Sequence, residues 1–256
     1  MTEPEQTTAS AARLLAPNPS PMTLDGTNTW VLREPGGTRL VIVDPGPLQN
    51  GHVDRLAALG PIDLIVLTHG HFDHAEAAPR LHELTGAPVA ARDPALCIGA
   101  PPLADAARAS AAGVEWLTVL TPGHSSDSVC LLLESDQALL TGDTVLGRGT
   151  TVVAHPDGRL ADYLDSLQRL RDLARQEVSV VLPGHGPVVT DPVEVLTYYL
   201  VHRHERLDQV RAAVAAGDRD PKAVVRRVYA DVDPVLWPAA ELSVRAQLDY
   251  LAGDDR

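Results

Sequence analysis

Four side chains that can bind metal ions lie within six residues: His69, His71, Asp73 and His74. Imidazole and carboxylate groups are common zinc ligands, and catalytic zinc sites leave a coordination position open for water. Residues 61–68 form a short apolar run typical of a buried strand. His69 and His71 therefore leave that strand with their rings on the same side. A histidine-rich surface loop is the alternative, but the complete pattern directly after a strand favours a metal site.

Three further side chains of metal-binding type follow other strand-like runs, at His124, Asp143 and His185. A glycine stands directly before each of them in the sequence. Glycine lets the backbone turn sharply or approach a metal closely. One such residue alone is more often part of an ordinary turn, whereas four strand ends of this kind in one chain predict a shared site.

The chemistry expected of these seven ligands is metal-assisted hydrolysis at a centre of two ions. Two cations about one water molecule lower its pKa toward neutrality and polarise the atom that it attacks. We expect two Zn²⁺ ions per chain, with iron or manganese as alternatives, and a hydroxide bridging the two ions as the nucleophile. Asp73 is predicted to be the catalytic residue that orients this nucleophile or accepts its proton. The sequence shows no obvious general acid for the leaving group outside the ligand set.

The elements that must position these ligands alternate between strand-like and helix-like runs. Such alternation predicts an α/β fold with a two-sheet core and helices outside. Residues 1–20 are interpreted as a loose lead-in. Strands are predicted near residues 22–33, 39–44, 61–68, 116–121, 129–134, 137–141 and 178–182, and helices near 51–59, 79–85, 103–112, 161–176, 192–216, 221–230 and 239–252.

The long helix predicted from residue 192 carries Arg203 on its apolar side. A buried arginine must be paired, so we expect it to lie against a core carboxylate. The alternative is that Arg203 or His202 reaches the site and binds a substrate phosphate. Thr150 and Thr151, in the glycine-containing loop after Asp143, are the other candidates for substrate binding.

Composition limits the class of protein and its partners. The net charge of −13 argues against whole-chain attraction of a nucleic acid, because nucleic-acid binders normally carry a basic face. Residues 1–10 lack the features of a signal peptide, and no apolar run approaches the ~20 residues needed to span a membrane. Cys97 and Cys130 are expected to be reduced and buried. These features predict a cytoplasmic protein without a membrane partner.

Other titratable side chains are given structural roles. Asp44 closes a predicted strand and is interpreted as a turn residue or as a carboxylate that supports a ligand. His52 and His82 lie on predicted helix surfaces and His155 lies in a loop, so all three are expected to face solvent. The sequence makes no prediction of the oligomeric state.

The set of seven ligands resembles that of the metallo-β-lactamase-fold hydrolases. The resemblance implies a four-layer αββα sandwich over residues 1–190 and a small helical, winged-helix-like region over residues 191–256. Asp143 argues against antibiotic hydrolysis, because the β-lactamases of this fold lack an aspartate at the bridging position. The implied ligands are His69, His71 and His124 for a first ion, Asp73, His74 and His185 for a second ion, and Asp143 as the bridge.

Three stretches, residues 18–30, 142–151 and 183–188, resemble more narrowly the lactamase-β-like endoribonuclease group. The leading hypothesis is therefore cleavage of a phosphodiester in single-stranded RNA. A glyoxalase II-like thioester hydrolase is the alternative, consistent with the same ligands and with the acidic composition. An iron-dependent oxidoreductase like the persulfide dioxygenases is the third hypothesis. The substrate is thus expected to be either RNA or a small thioester.

Overall fold

Two β-sheets face each other in the middle of the molecule, and helices cover their outer sides. The computed structural model describes residues 3–253. The first sheet contains β1 (Glu5–Gln6), β2 (Ala11–Leu15), β3 (Asn28–Leu32), β4 (Leu40–Val43), β5 (Ile62–Val66) and β6 (Val89–Ala90). The second contains β7 (Arg108–Ala111), β8 (Val114–Leu120), β9 (Val129–Leu133), β10 (Ala138–Gly142) and β11 (Val180–Pro183). The helices are α1 (Asn50–Ala58), α2 (Phe72–Ala75), α3 (Ala78–Thr85), α4 (Leu160–Glu177), α5 (Pro192–Ala215), α6 (Pro221–Val228) and α7 (Trp237–Ala252), with short 3-10 helices at Pro94–Leu96, Glu134–Asp136 and Pro234–Leu236.

Both sheets mix parallel and antiparallel pairing. The first sheet runs in chain order, with antiparallel pairs from β1 to β4 and parallel pairs from β4 to β6. The second sheet has the order β11-β10-β9-β8-β7, in which β10 and β11 are parallel and the other pairs are antiparallel. Because β9 lies antiparallel between β8 and β10, the carboxyl ends of β8, β10 and β11 meet at one edge of the sheet.

Apolar side chains fill three interfaces between the layers, as strand β9 illustrates. Val129, Leu131 and Leu133 face the other sheet, whereas Cys130 and Leu132 face the helices α4 and α5. Successive side chains of a strand point to opposite faces, so a strand buried on both faces is apolar throughout. Helices α1 and α3 cover the first sheet in the same way. The four-layer αββα architecture predicted from the sequence is therefore confirmed.

Helix α5 connects the outer layer of the second sheet to a small helical region. Leu196 and Leu200 pack with the second sheet and α4, and Val210 packs with α6 and α7. The helical character of the C-terminal region is confirmed, while the division at residue 190 stays a prediction. Although α5 spans 24 residues, no helix among residues 3–253 is long and apolar enough to cross a membrane.

The predicted helix at residues 103–112 is wrong. Strand β7 occupies Arg108–Ala111 and pairs with β8 in antiparallel register. Ala112 and Gly113 have φ angles of 52° and 74°, which are typical of the two-residue turn that joins hairpin strands. Sheet pairing therefore overrides the helical preference of the alanines in this segment.

The N-terminal interpretation also needs correction. Of the predicted loose lead-in, the first two residues lie outside the described range, and Ala11–Leu15 forms a strand that pairs along its length with β3. Ala11 and Leu14 are buried, so their packing places this segment in the sheet. The predicted strand at 22–33 is confined to Asn28–Leu32, because the residues before it form turns in which the Gly26 amide donates to the carbonyl of Thr23 at 2.9 Å.

Candidate metal centre

The structure brings the seven predicted ligands together where β5, β8, β10 and β11 end. Thr68 to Gly70 follow β5, and the single turn of α2 begins at Phe72. Five of the seven side chains are buried and two are half-buried, so the cluster lies in a cleft with limited access to solvent. The buried members are His69, Asp73, His74, His124 and His185, and the half-buried members are His71 and Asp143.

Three imidazoles form the first group of possible ligands. Nε2 of His69 lies 3.0 Å from Nδ1 of His71, and Nε2 of His124 lies 2.9 Å from the same atom. The three nitrogens lie within 4.8 Å of one another. Three nitrogen atoms that point at one centre are the arrangement that a catalytic zinc ion accepts.

A carboxylate and two imidazoles form the second group. Oδ2 of Asp73 lies 3.1 Å from Nε2 of His185, and Nε2 of His74 lies 3.2 Å from Nε2 of His185. These ligand atoms also lie within 4.8 Å of one another. The group thus offers a second centre of mixed nitrogen and oxygen donors.

Asp143 lies between the two groups. Its carboxylate oxygens lie 3.3 Å from Nε2 of His74 and 3.4 Å from Nε2 of His185. Oδ2 also lies 3.9 Å from Nε2 of His124, while Oδ1 is buried and has no hydrogen-bond partner. A buried oxygen without a partner needs an explanation, and a bridging position between two cations supplies one.

Hydrogen bonds behind the cluster orient the imidazoles, and Asp44 orients one of them directly and a second one through Thr68. Nδ1 of His74 donates to Oδ2 of Asp44 at 2.8 Å. The hydroxyl of Thr68 donates its proton to the same oxygen at 2.7 Å. Because that proton is used, the hydroxyl oxygen accepts a hydrogen bond from Nδ1 of His69 at 3.1 Å. With Nδ1 as the donor, Nε2 is the nitrogen left to bind a metal. The interpretation of Asp44 as a supporting carboxylate is confirmed.

Backbone carbonyls orient two further imidazoles. Nδ1 of His124 donates to the carbonyl of Val152 at 2.6 Å and lies 3.1 Å from the hydroxyl of Thr151. Nδ1 of His185 donates to the carbonyl of Gly26 at 3.1 Å. Both contacts leave Nε2 facing the centre. Metal-binding histidines typically donate their other ring N–H to such an acceptor.

The donor set fits two divalent cations. Burial lowers the pKa of His124 to about 4 and holds that of His69 well below its usual value, so both imidazoles are in the neutral form that binds metals. Burial also acts to lower the pKa of His185, but Asp143 and Asp73 outweigh it and raise that pKa to about 9. The carboxylates therefore attract positive charge to the second group, as a bound cation requires. The His and Asp clusters are consistent with a dinuclear metal site, whose metal identity is not fixed by the donors.

Glycines allow two of these loops to approach their neighbours closely. A Cβ atom at Gly184 would lie 2.5 Å from Oδ1 of Asp143 and 2.7 Å from Cε1 of His74. Gly123 has a φ angle of 139°, and a Cβ there would lie 2.3 Å from Cα of Tyr163. The glycines predicted to permit close backbone approach are thus required at these two positions.

A pocket of about 300 Å³ adjoins the centre and opens onto His124 and Asp143. It lies between the loop after β10 and the C-terminal helices. All four predicted substrate-binding residues form part of its lining: Thr150, Thr151, His202 and Arg203. Its apolar lining includes Pro21, Met22, Leu24, Leu146, Val232 and Leu236.

Thr151 and Arg203 have structural contacts that the sequence did not predict. Thr151 also lines the pocket but is buried beneath His124, and its carbonyl accepts a hydrogen bond from Nη2 of Arg203. The prediction that Arg203 lies against a core carboxylate is wrong. The guanidinium carbon of Arg203 lies instead 5.1 Å from the centroid of the Tyr163 ring. Arg206, three residues along the same helix, also lines the pocket and was not predicted. The helical spacing from Arg203 is the pattern by which it could have been found.

Sequence comparisons agree with this geometry. The profile of the metallo-beta-lactamase superfamily matches residues 22–185, and that of the beta-lactamase associated winged helix domain matches residues 221–256. A beta-lactamase-like protein 2 homolog from Drosophila melanogaster is 33% identical over 270 residues, covering 95% of this chain and 88% of that protein. An atrochrysone carboxyl ACP thioesterase from Aspergillus fumigatus is 32% identical, covering 83% of this chain and 67% of that protein.

A solved structure shares the fold over nearly the whole length. The metallo-beta-lactamase family protein from Thermus thermophilus superposes with a TM-score of 0.80 at 21% identity, covering 96% of this chain and 94% of that one. At this identity the likeness concerns the fold alone. The fold, the His and Asp cluster and the profile match together establish the family: the chain belongs to the metallo-beta-lactamase superfamily.

Proposed function

We propose that the protein is a metal-dependent hydrolase that cleaves a thioester whose acyl group occupies the pocket beside the metal centre. The observation that carries the proposal is the mostly apolar pocket that opens directly onto Asp143 and His124. An apolar wall stabilises an acyl chain by about 0.8 kcal/mol for each buried methylene. A flexible, charged RNA strand gains little from such a wall.

The residues of the chain divide the work of hydrolysis between them. When bound, two divalent metal ions lower the pKa of a water molecule and polarise the carbonyl oxygen of the substrate. Asp73 lies with Oδ2 3.1 Å from Nε2 of His185, where it accepts a hydrogen bond from the attacking water and orients it. The water oxygen then bonds to the carbonyl carbon as the water gives up a proton to Asp73, the carbon–sulfur bond breaks, and the thiolate takes up that proton, so that a carboxylic acid and a thiol leave.

The leaving group gives a second argument for a thioester. A thiolate, with a pKa of about 8.5, leaves without a general acid, whereas an RNA alkoxide is a far poorer leaving group. Apart from His124, the imidazole that lines the pocket within residues 3–253 is His202. Burial, Arg203 and Arg206 lower its pKa to about 4, so it is neutral at pH 7 and a weak proton donor. The similarity to a thioesterase from Aspergillus fumigatus at 32% identity is further support.

Cleavage of single-stranded RNA is the second candidate, and one observation favours it. Arg148, Arg203 and Arg206 line the pocket, and guanidinium groups pair well with phosphate. The net charge of −13 opposes it, because it weakens long-range attraction of a nucleic acid.

The experiment compares the two substrates on one preparation of zinc-loaded protein. Hexanoyl-N-acetylcysteamine is followed by thiol release, and an end-labelled single-stranded RNA is followed by electrophoresis. We expect thiol release that falls at least about 100-fold in Asp143→Asn, since the reaction depends on the metal centre. The control is Asp54→Asn, which removes an exposed carboxylate of α1 and should leave the rate unchanged. RNA cleavage that depends on Asp143, without thiol release, would overturn the proposal in favour of the second candidate.

A further inference from the structure

Two arginines, Arg203 and Arg206, line the pocket from the same side of α5. Residues three apart on a helix lie on one face. Among the described residues that line the pocket, the carboxylate present is that of Asp143, which already belongs to the metal centre. The positive charge on this wall is therefore not balanced by the pocket itself.

Arg203 is buried without an anionic partner. Its exposed fraction is 3%, and its described contacts are the carbonyl of Thr151 and the ring of Tyr163. Its Nε atom is buried and has no hydrogen-bond partner, and the side chain forms no ion pair within residues 3–253. A buried charge is normally paired, so an acceptor that enters the pocket completes the missing interaction.

Arg206 is held in a fixed orientation beside it. Its guanidinium carbon lies 4.6 Å from the centroid of the Tyr229 ring, and Nη1 donates to the carbonyl of Val228 at 2.7 Å. Its nearest carboxylate is that of Asp231, at 4.0 Å and 77% exposed, where solvent screens the pair. A pre-oriented guanidinium is well suited to bind a carboxylate or a phosphate with two parallel hydrogen bonds.

We propose that Arg203 and Arg206 form an anion-binding subsite, so that the preferred thioester carries a carboxylate or a phosphate in the part that fills the pocket. This inference rests on the proposed function and names its substrate class. The apolar residues of the pocket bind the chain, and the two arginines select its acidic group. The anion has two possible sources, the far end of the acyl chain or the carrier that bears the thiol.

Three substrates distinguish these sources. Hexanoyl-N-acetylcysteamine is neutral, adipoyl-N-acetylcysteamine has a carboxylate on the acyl chain, and hexanoyl-phosphopantetheine has a phosphate on the carrier. We expect kcat/KM for one of the two anionic substrates to exceed that for the neutral one at least about tenfold. A preference for the adipoyl compound places the anion on the acyl chain, and a preference for the phosphopantetheine compound places it on the carrier.

Arg206→Gln tests the assignment to this helix. The half-buried Arg206 lies at the pocket, so we expect KM for the preferred anionic substrate to rise about tenfold and KM for the neutral substrate to rise by a much smaller factor. Arg211→Gln, an exposed substitution on the same helix, is the matched control. An equal loss on neutral and anionic substrates would mean a structural role for Arg206 and would overturn the inference.

A binding measurement separates this inference from the proposed function. Calorimetric titration of zinc-loaded wild-type protein, Arg206→Gln and Arg211→Gln compares adipamic acid with the neutral adipamide. Tighter binding of the acid that is lost in Arg206→Gln alone supports the subsite, even if no thioester is hydrolysed and the proposed function fails. Thioester hydrolysis without a preference for anions, together with equal binding of the two ligands, overturns the subsite and leaves the proposed function intact.

Discussion

Oδ2 of Asp44 lies 2.8 Å from Nδ1 of His74, although Asp44 itself is not among the seven ligand candidates. The same carboxylate accepts the amide of Thr68 at 2.8 Å and its hydroxyl at 2.7 Å. Since that hydroxyl accepts from His69, one buried carboxylate fixes an imidazole in each of the two ligand groups. The two halves of the centre are thus coupled through a residue at the end of β4.

Asp44→Asn is expected to weaken zinc binding while keeping the fold. Asp44 has a φ angle of 52°, a conformation that asparagine tolerates, but an amide is a poorer acceptor for His74 and Thr68 than a carboxylate is. Loss of such a supporting contact lowers metal affinity about 10–100-fold. Competition with a chromophoric chelator measures the affinity, with Asp54→Asn as control. An unchanged affinity would contradict the role assigned to Asp44.

Asp143→Asn is expected to reduce the metal content from two ions per chain to one. Asp143 is the candidate whose oxygens approach both groups, at 3.3 Å from Nε2 of His74 and 3.9 Å from Nε2 of His124. An amide offers one neutral oxygen in place of two charged ones, which is too weak to bridge two cations. Elemental analysis after dialysis measures the stoichiometry, and circular dichroism checks the fold. Two tightly held ions in the variant would show that Asp143 is not the bridge.

Gly123→Ala is expected to disrupt the loop that carries His124. The backbone at Gly123 has a φ angle of 139°, and the new Cβ would lie 2.3 Å from Cα of Tyr163, so the loop or α4 must move. We expect a loss of at least about 3 kcal/mol in the free energy of unfolding together with loss of zinc. Gly86→Ala is the matched control, because Gly86 also has a positive φ, of 73°, but its Cβ would meet no atom within 4 Å. That control should cost about 1 kcal/mol, and an equal cost of the two substitutions would contradict the steric argument.

The cluster of seven candidate ligands was predictable from the sequence because each candidate is marked by local features. Residue type, a preceding glycine and an apolar run together identify His124 and His185. The partners that orient them are not marked in this way, since His124 donates to the backbone carbonyl of Val152 and every residue of the chain has a backbone carbonyl. Arg203 shows the same limit: its apolar helix face predicted burial, but the choice of Thr151 over a carboxylate as partner is set by tertiary packing.

The fold was predictable where periodicity was strong and long-range pairing was not decisive. The helix Leu160–Glu177 was expected within one residue at each end, because its leucines recur at helical spacing. The segment Arg108–Ala111 became a strand through pairing with β8, which an alanine-rich sequence does not reveal.

His52 was expected on a helix surface, yet its exposed fraction is 2%, because α1 turns that side chain toward Thr29. His82 and His155 are half-buried rather than exposed, and the half-buried Cys97 was expected to be buried.

The burial of His52 predicts a specific dependence of stability on pH. The hydroxyl of Thr29 donates to the carbonyl of Asp44 at 2.7 Å, so it accepts from Nε2 of His52 at 3.1 Å. Burial, aided by Arg55, lowers the pKa of His52 from 6.5 to about 4. The folded state therefore holds this imidazole neutral at pH values where the unfolded state takes up a proton. The stabilisation is fully present above pH 6.5 and is lost as the pH falls toward 4.

Between pH 7.5 and pH 5 this group is expected to lower the free energy of unfolding by about 2 kcal/mol, from the linkage between proton binding and folding. His52→Gln keeps a donor for Thr29 but cannot titrate. Between the same two pH values, the free energy of unfolding of this variant should therefore fall by about 2 kcal/mol less than that of the wild type. Urea denaturation at both pH values measures the difference, and His82→Gln, a half-buried histidine of α3, is the control. If wild type and His52→Gln lose the same stability between the two pH values, the neutral, buried state assigned to His52 is wrong.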